Sequence, residues 1–236
     1  MATGLNPALL RDMSLFRNLD REALAVIIRQ ARTRRVKRGE RLFVQGRPAA
    51  ACHALLHGRV RIAQQSAEGK TVTLRFVGPG EMFGVIGVFA GGRYLADAIA
   101  AADCVEIRWS ASVMIDLMRR HPQIALNVIA VLGQRFAETQ DRLREVITER
   151  VEQRIARTLL RLAKADMRGG AIVVRATQRD LGEMSGATHY TVSRALRSWQ
   201  ARGLVRSRRN EIELRDVTAI EKIAEDLSPP DADRAG

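Results

Sequence analysis

The sequence predicts an α+β fold built in three parts: an N-terminal antiparallel β-roll, one long helix, and a compact C-terminal unit of short helices closed by a β-hairpin. Three observations predict it. Between Val36 and Trp109, runs such as RLFVQ, HALLHGRVRIA, TVTLRFV and CVEIRW alternate apolar with polar residues, and glycines at 39, 46, 58, 69, 80 and 84 punctuate them. Strands this short, with a turn signal about every ten residues, belong to an antiparallel roll or barrel. Beyond Pro122 the pattern becomes helical and runs unbroken to Glu149. Over 171–215 the period switches again, ending in LVRS and EIEL joined by the tight turn RRN.

Each part has its own justification. Residues 5–33 read as helical and amphipathic, with Leu24, Ile27, Ile28 and Ala31 at spacings of three and four. The long helix carries Ala125, Ile129, Leu132, Phe136, Thr139, Leu143 and Val146, alternately four and three residues apart. That is a heptad seam, bordered by Arg135, Glu138, Arg142 and Glu145. A seam of this kind pairs with a copy of itself, so a parallel homodimer is expected. A second helix is expected over 150–165, with Ile155, Leu159, Leu160 and Leu162 as its apolar residues. A last short helix is expected over 216–227, with Asp216 as its N-cap. The expected domains are 1–121 for helix and roll, 122–149 for the dimerisation helix, 150–227 for the C-terminal unit and 228–236 for a disordered tail.

At 236 residues and 46% hydrophobic, the chain is long enough to bury a sizeable core. Its formal charge is +13, and residues 150–215 hold 15 Lys and Arg against 6 Asp and Glu. Basic charge concentrated in one segment points to a polyanionic partner, nucleic acid before an anionic membrane surface. Two cysteines, Cys52 and Cys104, without CxxC spacing, exclude a zinc framework, an iron–sulfur set and a disulfide scaffold. The sequence shows neither a signal-peptide pattern nor an apolar run of bilayer length, so a cytoplasmic protein with no membrane partner is expected. Cys52 and His53 make no catalytic pair, because strand neighbours point to opposite faces. No enzymatic activity is expected.

Within the C-terminal unit, Thr177-Gln-Arg-Asp180 reads as a capping-box start. The short helix 178–185 ends at Ser185-Gly186, where glycine permits a left-handed turn. Thr188 caps the next helix, HYTVSRALRSWQARG, which Gly203 ends. Val192, Ala195, Leu196 and Trp199 form its apolar face; Tyr190, Ser193, Arg194 and Arg197, at i, i+3, i+4 and i+7, form the other. Such an exposed face fits the major groove of DNA, where an arginine fork reads the two acceptors of guanine. The following hairpin is a β-wing whose Arg208 and Arg209 reach phosphates or the minor groove. Thr177 and Thr188, at helix starts, stand where hydroxyls donate to phosphates.

These residues resemble the bacterial CRP/FNR family of transcription regulators over nearly the whole chain. The resemblance rests on Gly39-Glu-Arg-Leu-Phe, Gly46, His57-Gly58-Arg-Val and Gly78-Pro-Gly-Glu-Met-Phe-Gly84 in the roll. Arg120-His-Pro, Arg154-Ile-Ala-Arg-Thr-Leu-Leu-Arg-Leu-Ala163 and Thr191-Val-Ser-Arg-Ala-Leu196 continue it. The family implies a cupin-like effector roll, a dimerisation helix and a winged helix-turn-helix. It also implies dimeric binding to an inverted-repeat promoter and contact with RNA polymerase. By position, Ser193 and Arg194 match the family's base-reading residues. Tyr190 departs from the usual glutamate, and His189 from the arginine of the cyclic-AMP branch.

The loop 80-GEMFGVIGVFAGGRYLADA-98 has the glycines of an anion cradle. The resemblance implies a glutamate at Val85 for the ribose and an arginine at Tyr94 for the cyclic phosphate. Arg93 lies one place away, where a one-residue slip turns it to the opposite face. Thr139 matches a position that meets the nucleotide base, while Gln140 stands where a serine is expected. With both charge-assisted contacts gone, control by cyclic AMP is not expected. What remains is an apolar pocket lined by Phe83, Gly84, Val85, Ile86, Val88 and Phe89, suited to a flat hydrophobic ligand or to packing alone. FVGPGEMFG and HYTVSRALRSWQARGLV are similar to the branch controlling nitrite and nitric oxide reductases. That likeness implies nitric oxide as the signal, read through haem, with Cys52, His53 and His57 as the candidate ligands. A roll without any ligand, or one that responds to a cyclic nucleotide, is the alternative.

Overall fold

The computed structural model describes residues 8–69, 71–89, 91–166, 172–208 and 211–225. The expected tail 228–236, Arg209 of the wing and residues 5–7 lie outside them. The chain divides into two compact units within its long helix, Met1–Thr139 and Gln140–Gly236.

The first unit begins differently from the single helix expected over 5–33. It forms α1 (Ala8–Arg11), a tight turn at Ser14–Phe16 and α2 (Arg21–Arg29). The break has a local cause. Asn18 takes a left-handed φ of 62°, and the Asp20 carboxylate accepts from the Ala23 N–H, so a fresh helix starts there. Asparagine is among the few residues that tolerate that backbone region. Strand β1 (Arg32–Val36) then starts earlier than the alternation suggested.

The roll is made of two four-stranded sheets. One runs β1, β8 (Cys104–Ser110), β3 (Ala51–His57), β6 (Met82–Phe83); the other runs β2 (Arg41–Phe43), β7 (Asp97–Ala100), β4 (Val60–Gln65), β5 (Thr71–Val77). The pairings within both are antiparallel. The run HALLHGRVRIA is thus the end of β3, a turn at Gly58 and the start of β4. The stretch 80–98 is not one loop: it contains β6, the helix α3 (Val85–Phe89) and the first residues of β7.

Alternation along β3 and β8 sends side chains to two separate cores. Val36, Leu55, Val60, Val77, Phe83 and Ala98 fill the space between the sheets. On the other face Cys52, Ile107 and Trp109 meet Phe16, Ile27 and Leu117 from the helical layer, which includes α4 (Ala111–Arg120). Trp109 is fully buried, stands edge-on to Phe16 at 5.4 Å between centroids, and donates its indole N–H to the Ile27 carbonyl at 2.9 Å. The long helix α5 (Pro122–Thr148) joins this layer through Ile124, Val128 and Asn127. The Asn127 amide donates to the carbonyls of Leu15 and Arg17 at 3.0 and 2.9 Å.

The second unit contains the end of α5 and α6 (Val151–Asp166), β9 (Ile172–Val174), α7 (Gln178–Ser185), α8 (His189–Ala201), β10 (Val205–Arg208), β11 (Glu211–Leu214) and α9 (Val217–Ala224). The wing is a three-stranded sheet, β10-β11-β9, one strand more than the expected hairpin. Asp216 caps α9 by accepting from Ala219 N at 2.9 Å. Glu145, expected at the border of the heptad seam, is instead buried and takes two bonds from Arg161 of α6, at 2.6 and 2.8 Å.

Trp109→Ala removes the contact around which strands and helices of the first unit close. It is expected to lower unfolding free energy by about 3–5 kcal/mol, measured by urea denaturation followed by circular dichroism.

Candidate functional site

The C-terminal helices meet through a short turn whose geometry is dictated locally. Thr177 and Asp180 form the full capping box, Asp180 N donating to the threonine oxygen at 3.0 Å and Thr177 N to the Asp180 carboxylate at 2.9 Å. Gly186 sits in the left-handed region at φ 65° and turns the chain after α7. Thr188 then caps α8, accepting from Thr191 N at 3.2 Å.

On α8 the two faces separate as the periodicity requires. Val192, Ala195, Leu196 and Trp199 are buried; Tyr190 is 85% exposed, and His189, Arg194 and Arg197 are exposed with it. Ser193 is half-buried between them. Arg194 and Arg197 make no ion pair among the described residues, and neither does Arg208 on β10. Arg179 of α7, by contrast, is tied to Glu183 at 2.9 Å. Free, exposed guanidinium groups are what phosphate and guanine contacts require. Thr177 differs from the sequence expectation: its hydroxyl proton goes to Asp180 at 2.7 Å, so it is not a free donor for phosphate.

In the roll, the expected effector residues do not line one apolar pocket. Phe83 faces the core between the sheets, Val85 packs into the helical core, and Ile86 is 38% exposed on α3. Arg93 is exposed and donates to the Gly46 carbonyl at 2.7 Å, whereas Tyr94 is buried. The Thr139 hydroxyl donates to the Arg135 carbonyl of its own helix, and Gln140 is exposed. Tyr94 instead enters the roll. Its ring lies 3.9 Å from that of Phe43, nearly parallel, and its hydroxyl donates to Ala51 O at 2.9 Å. The same hydroxyl receives the Ala51 N–H and stands 3.2 Å from His53 Nε2. Burial pushes the Tyr94 phenol pKa above its usual value.

His53 is buried, with Nδ1 2.8 Å from Glu106 Oε2. The His53 ring thus bridges the Tyr94 hydroxyl on one side and the Glu106 carboxyl on the other. Glu106 is fully buried; its Oε1 lacks a hydrogen-bond partner and lies 3.7 Å from Arg34.

The haem ligands expected from sequence do not fit this arrangement. Both ring nitrogens of His53 are engaged, and burial raises the Cys52 thiol to about 12. His57 is exposed at the end of β3, and no cluster of three metal-ligating side chains occurs among the described residues.

Residues 33–121 match the cyclic nucleotide-binding domain, and residues 153–223 match the Crp-like helix-turn-helix domain. The chain belongs to the CRP/FNR family of transcription regulators. Among its relatives, the cyclic AMP receptor protein of Thermus thermophilus is 29% identical over 210 residues, 89% of this chain and 96% of that one. A CRP-like cAMP-activated global transcriptional regulator of Mycobacterium tuberculosis is 26% identical over 196 residues, covering 81% and 88%. The crystal structure of a CRP/FNR-family transcriptional regulator from Thermus thermophilus superposes with a TM-score of 0.68 at 27% identity, over 82% of this chain and 98% of that one. The chain is therefore a DNA-binding transcription regulator and not an enzyme. No helix among the described residues is long and apolar enough to cross a membrane.

One residue of this CRP/FNR protein escaped the sequence reading as a site residue, Arg154 of α6. Its Nε donates to Ser185 O at 2.9 Å and its Nη1 to Glu149 O at 2.8 Å. It thus satisfies carbonyls that the ends of two helices leave open, a role with no local sequence signal because its partners lie 31 and 5 residues away. Arg154→Ala is expected to cost the C-terminal unit about 1–3 kcal/mol. Faster amide exchange over 181–192, with exchange in the roll unchanged, is the measurement that checks it.

Proposed function

We propose that the protein acts as a homodimer on an inverted-repeat promoter site, with α8 of each protomer in a major groove, and works there with RNA polymerase. The observation that carries the proposal is the split face of α8: four buried apolar residues hold a helix whose opposite face offers Tyr190, Ser193 and two unpaired arginines. Arg194 reads guanine and Tyr190 an adjacent base; Arg197, Arg208, His189 and the backbone beside Thr188 take phosphates.

The dimer reading draws on α5. Ile129, Phe136, Leu143 and Val146 are between 55 and 67% exposed on one helix, far more apolar surface than scattered single residues give. Leu132 is the exception to the expected seam, because it packs against the helical core of its own unit. Exposed Leu126 and Ile147 fall beside the remaining seam positions and widen the face that a second copy would cover.

Cyclic AMP is not the proposed effector, and neither is nitric oxide acting through haem. Tyr94 and His53 occupy the roll, and a buried phosphate without charged donors is too costly to hold. The similarity to the nitrogen-oxide branch rests on short segments and does not supply iron ligands.

The test is selection of a binding site from random duplexes, followed by affinity measurements at fixed salt. Arg194→Ala is expected to weaken the selected site by about 1–3 kcal/mol per half-site while leaving non-specific binding nearly unchanged. An equal loss on all duplexes would refute groove reading by α8. Phe136→Glu is expected to convert the dimer to a monomer by light scattering and to abolish binding to the two-half-site duplex.

A further inference from the structure

The interior of the roll raises a question that packing alone leaves open. Strand β6 is only two residues long and pairs with β3 at His53 and Ala54. Past that point the N–H and C=O of Ala51 on the same edge of β3 have no strand partner. Both are met by one phenolic hydroxyl, that of Tyr94, at 3.2 and 2.9 Å. The ring that carries it stacks on Phe43, and the His53 imidazole, itself held by Glu106, completes the set. A flat stacking surface, a backbone donor and acceptor on one residue, and an oriented imidazole make a complete recognition site for a phenol.

We propose that the roll contains a binding site for a planar phenolic group, and that this chain fills it with its own Tyr94. The tethered side chain sits at an effective concentration that a free ligand does not match, so the intact protein is insensitive to small phenols. Occupancy has a reach beyond the pocket. Gly84, at φ 74°, lies so close that an added Cβ would come within 3.0 Å of His53, 3.2 Å of Phe43 and 3.3 Å of Tyr94. The stack therefore sets the position of the 78–84 segment, which leads through Glu81 into β6. Glu81 of that segment accepts from Gly78 N at 2.7 Å and bonds Arg75 and Arg135 of α5, each at 3.3 Å. The phenol seat is thereby connected, within the first unit, to the helix proposed to form the dimer.

The experiment uses the full chain carrying Tyr94→Ala and p-cresol, the tyrosine side chain as a free molecule. Expected is saturable binding of one p-cresol per protomer by calorimetry, with a rise in Tm toward that of the wild type. Toluene, which lacks the hydroxyl and leaves the Ala51 pair unmet, should bind about tenfold more weakly. Wild-type protein and Tyr94→Phe should bind neither. If Tyr94→Ala does not fold alone, refolding in p-cresol should yield the folded protein, and refolding that still fails overturns the proposal. It is also overturned if folded Tyr94→Ala binds p-cresol no better than toluene, or if the wild type binds p-cresol equally well. The link to DNA rests on the regulator reading and is read separately. Wild-type binding to the selected duplex tests that reading, whereas recovery of Tyr94→Ala affinity by p-cresol tests only the coupling of the seat.

Discussion

Buried backbone groups must find partners, and in the roll that requirement falls on Ala51. Its sheet edge is left open where β6 stops, and the Tyr94 hydroxyl closes it from both sides. An unmet pair at that depth costs about 1–3 kcal/mol for each group, so the position of Tyr94 is strongly held. From it follow the stacking on Phe43, the orientation of His53, the close approach of Gly84 and the path of the loop leading to Glu81. The segment 80–98 keeps the glycines of an anion cradle while the interior beside it is filled by aromatic rings and a hydrogen-bonded network of Tyr94, His53 and Glu106.

The same economy of backbone satisfaction shapes the C-terminal unit. Thr177, Thr188 and Asp216 cap the starts of their helices, and Arg154 takes the open carbonyls at the ends of α5 and α7. With the ends satisfied by side chains from the framework, the outer face of α8 keeps its own donors for a partner. Arg161, Arg157 and Arg179 are paired with carboxylates, while Arg194, Arg197 and Arg208 have no carboxylate partner among the described residues. A basic composition alone does not distinguish the two sets.

The cysteines illustrate the difference between residue type and environment. Cys52 lies in a core with Trp109 and Ile107, and its raised pKa keeps it a neutral thiol. The Cys104 thiol donates to the carbonyls of Arg59 and Ala102, and its pKa is raised mainly by burial. Neither has the thiolate character that metal binding or nucleophilic chemistry needs.

Much of this protein was legible in its residues because the signals are local. Heptad spacing marked α5, the capping residues and Gly186 marked the helix-turn-helix, and the two faces of α8 separated by simple periodicity. Other features depended on distant partners. Asn18 and Asp20 broke the N-terminal helix in favour of packing, Leu132 left the seam for the core, and Glu145 left it for Arg161. The fate of Tyr94 was decided last of all. Its sequence position showed only that an arginine was missing, whereas the edge of β3, 43 residues away, determined what the tyrosine does instead. Sequence specifies which groups need partners; which partner each one meets depends on long-range strand pairing and packing that no local pattern encodes.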